Sequence, residues 1–242
     1  MRRFFIEPQS IQSTQVYLTG QEAHHICRVL RLRVGDKVEL FDGTGRILQA
    51  RLLTVNKNSV CAEIESCEHE SPVAPLYPLT LIQALLKGKK MDFILQKATE
   101  LGVEHCILFP SQYYAAGKTV DSQMERWQRI IVEACKQCRR PVPMTLTLYS
   151  ELEEIPLDGY LHKFIAHEDE RHTAKQLALS ATPGPVSVLI GPEGGWHDEE
   201  TTYFLGRGFC PVSLGEYILR GETAALAACS ILKYLTQTTV QL

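Results

Sequence analysis

Leu189-Ile190-Gly191-Pro192-Glu193-Gly194-Gly195-Trp196 and Leu214-Gly215-Glu216-Tyr217-Ile218-Leu219-Arg220-Gly221-Glu222-Thr223-Ala224 are the two stretches that decide how this chain folds. Each follows an apolar, β-branched run and leads into a helical pattern. Each therefore sits at the carboxyl end of a strand, where an α/β fold leaves backbone groups free. Glycines at such bends let a ligand approach the main chain, and the N–H groups opening a helix receive a polar ligand edge. Two such bends in one domain predict a single cofactor held mostly by backbone.

Outward from these bends, strand and helix patterns alternate. Val186 to Ile190 and Phe209 to Leu214 read as the strands feeding the bends. Upstream, Leu79 to Leu86, Val103 to Phe109 and Phe164-Ile165-Ala166 read as further strands. Met91 to Leu101 is a predicted helix with Met91, Ile94, Leu95, Ala98 and Leu101 on one face, closed by Gly102 in the C′ position. Ser122 to Cys138 is another, with Ser122 and Glu125 spaced as a capping box and Trp127 on its apolar face. Such alternation predicts an α/β domain with a mostly parallel sheet covered by helices. The last helix, Thr223 to Leu235, is apolar on nearly every side, so it lies deep in the domain or meets a second subunit. A homodimer is expected.

The first seventy or so residues read differently. Lys37 to Phe41 alternates in period two, Asp42-Gly43-Thr44-Gly45 supplies a turn, and Arg46 to Val55 and Ser59 to Ile64 continue the β pattern. A helical segment, Gln21 to Leu30, precedes them. A barrel-like module of five or six strands fits this order. Glu68 to Pro78 holds three prolines without periodicity and reads as a linker, which places the domains at 1–72 and 73–242.

Composition narrows the function classes. The 242 residues are 45% hydrophobic and 22% charged, as in ordinary globular proteins. No apolar run is long enough to cross a bilayer, and the apolar stretch after Arg2 and Arg3 is too short for a signal peptide. A cytoplasmic protein with reduced thiols is expected. Cys135 and Cys138 form a lone C-x-x-C pair inside a helical pattern. They are assigned to core packing on one buried face, and no metal is expected. The net charge of −3 conceals an asymmetry: residues 1–57 hold nine Lys/Arg against five Asp/Glu, a balance of +4, which leaves −7 for the rest. The basic N-terminal part is compatible with RNA and equally with a solvated face.

The glycine bends exclude phosphate-rich ligands. Gly191-Pro192-Glu193-Gly194-Gly195 is neither G-x-x-x-x-G-K-[ST] nor G-x-G-x-x-G. It has no lysine to grip phosphates, and Glu193 would repel them. S-adenosylmethionine fits better, because it has no phosphate and its sulfonium is compatible with Glu193 or Glu222.

These bends resemble those of the SPOUT-class RNA methyltransferases, and within them the enzymes that methylate N3 of a uridine in bacterial small-subunit (16S) ribosomal RNA. Three further segments share the likeness, in order: His24-His25-Ile26-x-Arg28-Val29-Leu30-Arg31; Lys87-Gly88-x-Lys90-Met91-Asp92 through Gln96-Lys97-Ala98-Thr99-Glu100-Leu101-Gly102; and Glu125-Arg126-Trp127 with Glu133-Ala134. The resemblance implies an N-terminal PUA-like β-barrel that helps hold RNA and a C-terminal domain with a deep trefoil knot. It also implies a dimer, with a bent S-adenosylmethionine in a pocket made by the knot's loops. Carried onto this chain, Ile190, Gly191, Glu193, Gly194, Gly195, Leu214, Gly215, Ile218, Leu219, Thr223 and Ala224 are expected to bind cofactor.

Uridine N3 must lose its proton before it attacks a methyl group, so the site needs a cation near the base and a proton acceptor. Arg220 is the candidate cation. Glu222 or Glu193 either accepts the proton or fixes Arg220, while Glu222 also suits a helix N-terminus as a structural carboxylate. Arg28, Arg31, Arg33, His25, Lys87 and Lys90 are the expected RNA contacts, with Lys89 beside them. The chain departs from the family in Tyr217, where an arginine is usual, and in Tyr113 to Lys118, which replaces an arginine-serine pair and in which Lys118 is a candidate replacement charge. The competing readings are a related enzyme acting on a ribose hydroxyl or another base, and a non-catalytic RNA-binding assembly factor.

Overall fold

The computed structural model describes residues 2–69, 75–112, 120–167 and 177–239. The Tyr113 to Lys118 segment lies outside the described residues. The chain divides into two compact units, residues 1–73 with 135–143, and 74–134 with 144–242.

The first unit is a six-stranded sheet built from β1 (Arg2–Phe5), β2 (Ile11–Gln12), β3 (Gln15–Thr19), β4 (Lys37–Phe41), β5 (Arg46–Val55) and β6 (Ser59–His69). The order is β1-β4-β5-β6-β3-β2, with β1 parallel to β4 and the remaining pairs antiparallel. β3 alternates strictly, burying Val16 and Leu18 while Tyr17 and Thr19 face solvent, as period-two geometry requires. Between β3 and β4 runs α1 (Gly20–His24), whose expected α-helical continuation is instead a wider π turn over His25–Val29. Ala23 and Ile26 still reach the core, beside Phe4, Val38, Leu40, Leu52 and Val60. β1 had no sequence signal; its register against β4 buries Phe4. β6 extends through His69, so the first residues assigned to a linker are strand.

The turn joining β4 to β5 is held by Asp42. Its fully buried side chain accepts hydrogen bonds from Thr44 N (2.9 Å), Thr44 Oγ1 (2.8 Å) and Arg46 Nε (2.6 Å). Burial alone would push this carboxyl up, but the Thr44 and Arg46 donors outweigh it and hold it below the ordinary aspartate value. The depressed pKa makes Asp42 stabilising above the unfolded value of about 4, a contribution lost as pH falls through the folded value. Asp42→Asn is therefore expected to lower unfolding free energy at pH 7 by about 1–3 kcal/mol. Urea unfolding at neutral pH and below pH 4 checks this: the difference from wild type should shrink on acidification, and a pH-independent difference would refute it.

The second unit holds six parallel strands: β7 (Leu79–Ala84), β8 (His105–Phe109), β9 (Thr145–Leu148), β10 (His162–Ala166), β11 (Val186–Ile190) and β12 (Cys210–Val212). Their order is β12-β10-β11-β7-β8-β9. The helices are α2 (Lys90–Glu100), α3 (Val120–Cys138, whose residues 135–138 belong to the first unit), α4 (Asp198–Gly206) and α5 (Gly221–Thr239). Every residue of β7 and β11 is buried, which identifies them as central strands covered on both faces. α5 packs on α2, β7 and β11 through Ala225, Ala228, Cys229 and Leu232, while Ile231 and Tyr234 remain exposed. No helix among the described residues is long and apolar enough to cross a membrane.

Some sequence expectations need correction. α3 begins at Val120, so Ser122 lies within the first turn and cannot be the N-cap; a Ser-x-x-Glu spacing marks a cap only where the chain before it leaves helical geometry. Cys135 is buried but Cys138 is exposed, because the helix ends there and its last residue leaves the packed face. Trp127 is in the core, as expected. Gly102 has a φ of 79° and donates to Thr99 O (3.1 Å), closing α2 as its C′ position requires.

Candidate active site

After β7 the chain turns to β8 on one side, while after β11 it leaves past β10 toward β12 on the other. The divergence falls between adjacent strands β7 and β11, and in open parallel sheets ligands bind outside the carboxyl ends of strands at that point. A cleft of about 280 Å³ lies there, lined by Lys90, Pro192, Glu193, Gly195, Ile218, Leu219, Arg220 and Gly221. Small-molecule sites run from about 300 Å³ upward, so the size is near that of a small cofactor.

The first bend follows Ile190, buried at the end of β11. Gly195 N donates to Pro192 O (3.2 Å), and Gly195 has a φ of 79°, a conformation that favours glycine. Trp196 anchors the bend: its Nε1 donates to Ala166 O (2.9 Å), and its ring stacks on Phe109 (6.4 Å) and meets Phe204 edge-on (5.7 Å). A Cβ on Gly191 would lie 2.8 Å from Trp196 Cε2, so only glycine allows the indole and the bend to approach this closely. His197 then caps α4, with its backbone N–H donating to Glu200 Oε2 (3.1 Å). Glu200 is itself buried and also accepts from Ser111 Oγ (3.2 Å) and Gln112 N (3.1 Å), tying the end of β8 to α4.

The second bend is more open. Ser213 Oγ donates to Gly215 O (2.9 Å), Tyr217 and Ile218 are 78% and 76% exposed, and Ala224 N closes the first turn of α5 on Arg220 O (2.8 Å). Gly221 brings the two bends together: a Cβ there would sit 3.1 Å from Leu86 Cδ1 and 3.5 Å from Gly191 O.

Four charged groups meet at this cleft. Lys90 Nζ is 2.7 Å from Glu193 Oε1 and 4.0 Å from Glu222 Oε2. Glu222 Oε2 is buried and accepts no hydrogen bond among the described residues. Arg220 is exposed and has no ion-pair partner among them. The cysteines have no part here. Cys106 and Cys229 are fully buried, and burial pushes the Cys229 thiol up to about 12 and Cys106 further still, so neither is a nucleophile.

Of the residues expected at the cofactor, Glu193, Gly195, Ile218 and Leu219 line the cleft, and Gly191 stands behind it against Trp196. Gly194, Gly215 and Thr223 are exposed, Leu214 is half-buried, and Ile190 and Ala224 are buried; none of these six is in the lining. Lys90, expected at RNA, is in the cleft wall. Lys87 is exposed nearby in sequence. In the first unit, Arg28, Arg31 and Arg33 are exposed without an ion pair among the described residues, and half-buried His25 packs edge-on against Phe4. Arg31 has a φ of 53°, the left-handed conformation that ends the helical turn. Gly221, the first residue of α5, was not expected to join the bends; a glycine where a helix opens was the available signal.

Comparison with known proteins bears directly on this arrangement. A family model described as RNA methyltransferase domain matches residues 72–233, and one described as RNA methyltransferase PUA domain matches residues 18–65. The parallel α/β unit and its cleft thus define the class: an RNA methyltransferase with a PUA domain ahead of it. The ribosomal RNA small subunit methyltransferase E of Synechocystis is 33% identical, over 97% of this chain and 78% of that protein. That of Bacillus subtilis is 31% identical, over 98% of each. The chain belongs to the ribosomal RNA small subunit methyltransferase E family. The crystal structure of the Neisseria gonorrhoeae member bound to S-adenosyl methionine is 32% identical with a TM-score of 0.83, over 97% of this chain and 98% of that one. A putative methyltransferase from Legionella pneumophila, in complex with the bound cofactor SAM, is 30% identical with a TM-score of 0.85, over 96% of each chain.

Proposed function

We propose that this chain uses S-adenosylmethionine to methylate N3 of a uridine in small-subunit (16S) ribosomal RNA, in the cytoplasm and as a homodimer. The observation that carries this reading is a cleft lined by Arg220, a guanidinium without an ion pair among the described residues, whose wall residue Lys90 stands 4.0 Å from a carboxylate oxygen, Glu222 Oε2, that accepts no hydrogen bond among them. The cleft suits the cofactor. Ile218 and Leu219 offer apolar surface, and Gly195 and Gly221 admit a ligand close to the main chain. Gly191, the neighbouring Gly194 and the second bend from Leu214 and Gly215 to Thr223 and Ala224 complete the cofactor site in this reading.

When bound, the cofactor supplies an electrophilic methyl group on a sulfonium. The protein's part is to make uridine N3 a nucleophile. Arg220 stabilises the negative charge that grows on the base as the proton leaves, and Glu222 accepts that proton. The exposed, open second bend leaves the cleft accessible to a base. The PUA-like barrel and the trefoil knot belong to the same reading. The return of the chain from edge strand β12 to α5, which packs over central β7 and β11, supports the knot. Exposed Ile231 and Tyr234 on α5 support a dimer contact.

Arg28, Arg31, Arg33, His25 and Lys87 contact RNA in this reading, mostly at phosphates. The double charge reversal Arg28→Glu, Arg31→Glu is expected to weaken RNA binding at least about tenfold. It should also flatten the plot of log K against log salt by roughly 1.5, near 0.7–0.9 per lost phosphate contact. Filter binding between low and physiological salt measures this, and an unchanged slope would show that both arginines face only solvent.

The function itself is tested by methyl transfer to small subunits purified from cells lacking this gene, followed by mass spectrometry of the nucleosides. N3-methyluridine is the expected product. A ribose-methylated nucleoside, another methylated base, or RNA binding without transfer would overturn the assignment.

A further inference from the structure

Lys90 opens α2 and meets two carboxylates that lie more than a hundred residues away along the chain. Its ammonium is 2.7 Å from Glu193 Oε1 and 4.0 Å from Glu222 Oε2. The first contact is a hydrogen-bonded ion pair. The second is too long for a hydrogen bond, so the buried Glu222 oxygen has attraction without a donor. A buried carboxylate oxygen left this way is costly, and such groups in native structures call for a reason. One cation thus links three elements: α2, the first bend and the N-terminus of α5. A lysine that reads phosphates projects into solvent, as Lys87 and Lys89 do, but Lys90 is only 36% exposed and already paired.

We propose that Lys90 is a positioning residue for methyl transfer, acting through Glu222. This rests on the function proposed above. Held by Glu193, the ammonium stays close to Glu222 without bonding to it. It fixes the side chain by attraction, while leaving a lone pair of Glu222 free for the incoming N3 proton. Glu193 serves as the anchor that keeps Lys90 from closing fully onto Glu222. Glu222 itself stands in the first turn of α5, and the other charged group lining the cleft is Arg220.

Lys90→Met tests this. Single-turnover rate at saturating RNA and cofactor is expected to fall at least tenfold. Thermal unfolding should stay within a few degrees of wild type, which shows that the variant is folded, and the salt slope of RNA binding should not change. Lys90→Arg should recover most of the rate. A normal rate, or a reduced rate that Lys90→Arg leaves as low as Lys90→Met does, overturns the proposal. So does a salt slope lowered by about 0.7–0.9 with the saturated rate intact, which would make Lys90 a phosphate contact. An inactive wild-type protein in the same assay would overturn the methyltransferase reading and this inference with it; an active wild type beside an indifferent variant overturns this inference alone.

Discussion

Arg220→Ala is expected to reduce methyl transfer by about 10²–10³ while S-adenosylmethionine affinity changes no more than a few-fold. The guanidinium lines the cleft, is exposed, and is neutralised by no carboxylate among the described residues. Its charge is therefore available to the base, and it is most valuable when negative charge develops there. Uridine in its ground state is neutral, so the interaction is far stronger in the transition state, and its loss appears in the rate rather than in binding. The fold should survive, because the Arg220 contribution to α5 is its backbone carbonyl, which accepts from Ala224 N at 2.8 Å. Arg220→Lys should recover only part of the rate, since an ammonium lacks the planar fork. Single-turnover kinetics with parallel calorimetry decides the matter, and near-normal turnover in Arg220→Ala would remove the residue from the mechanism.

Gly191→Ala is expected to destabilise the chain and to weaken cofactor binding. The new Cβ would stand 2.8 Å from Trp196 Cε2 and 3.0 Å from Nε1. The indole has little room to yield, being hydrogen-bonded to Ala166 O and packed between Phe109 and Phe204. The bend must move instead, and the bend is the floor of the cleft. Overpacking of this kind costs about 1–3 kcal/mol in stability. Cofactor affinity is expected to fall tenfold or more. Gly206→Ala is the control: its added Cβ meets nothing within 4 Å inside α4, so it should be neutral or slightly stabilising. Thermal unfolding and calorimetry on the two variants, with equal behaviour in both, would show that Gly191 is not held against Trp196.

Much of the second unit is legible in the sequence because its strands and helices differ in period. Val186 to Ile190, apolar except for Ser187 and bounded by Pro185 and Gly191, is the fully buried β11. Met91, Ile94, Leu95 and Ala98 recur at helical spacing and form the buried face of α2. The first unit is less legible. β1 carries two arginines and two phenylalanines without alternation, and becomes a strand by pairing with β4, more than thirty residues away. In the second unit, β9 alternates in period two over only four residues, too few to distinguish it from a loop, and forms by pairing with β8. Cys138 shows the same limit from the other direction: helical spacing assigns it a face, but where the helix ends determines whether that face is covered.

By itself the sequence determined the alternation of strands and helices, the two glycine bends and the unsuitability of the first bend for phosphates, because periodicity, turn chemistry and charge are local properties. The tertiary structure alone decided that Gly221 comes up against Gly191 and Leu86, that Trp196 fills the space a side chain at Gly191 would need, and that Lys90 stands between Glu193 and Glu222. These are pairings across long stretches of chain, set by the order β12-β10-β11-β7-β8-β9. A residue's own neighbours in sequence carry no record of which distant side chain will oppose it once the strands have taken their places.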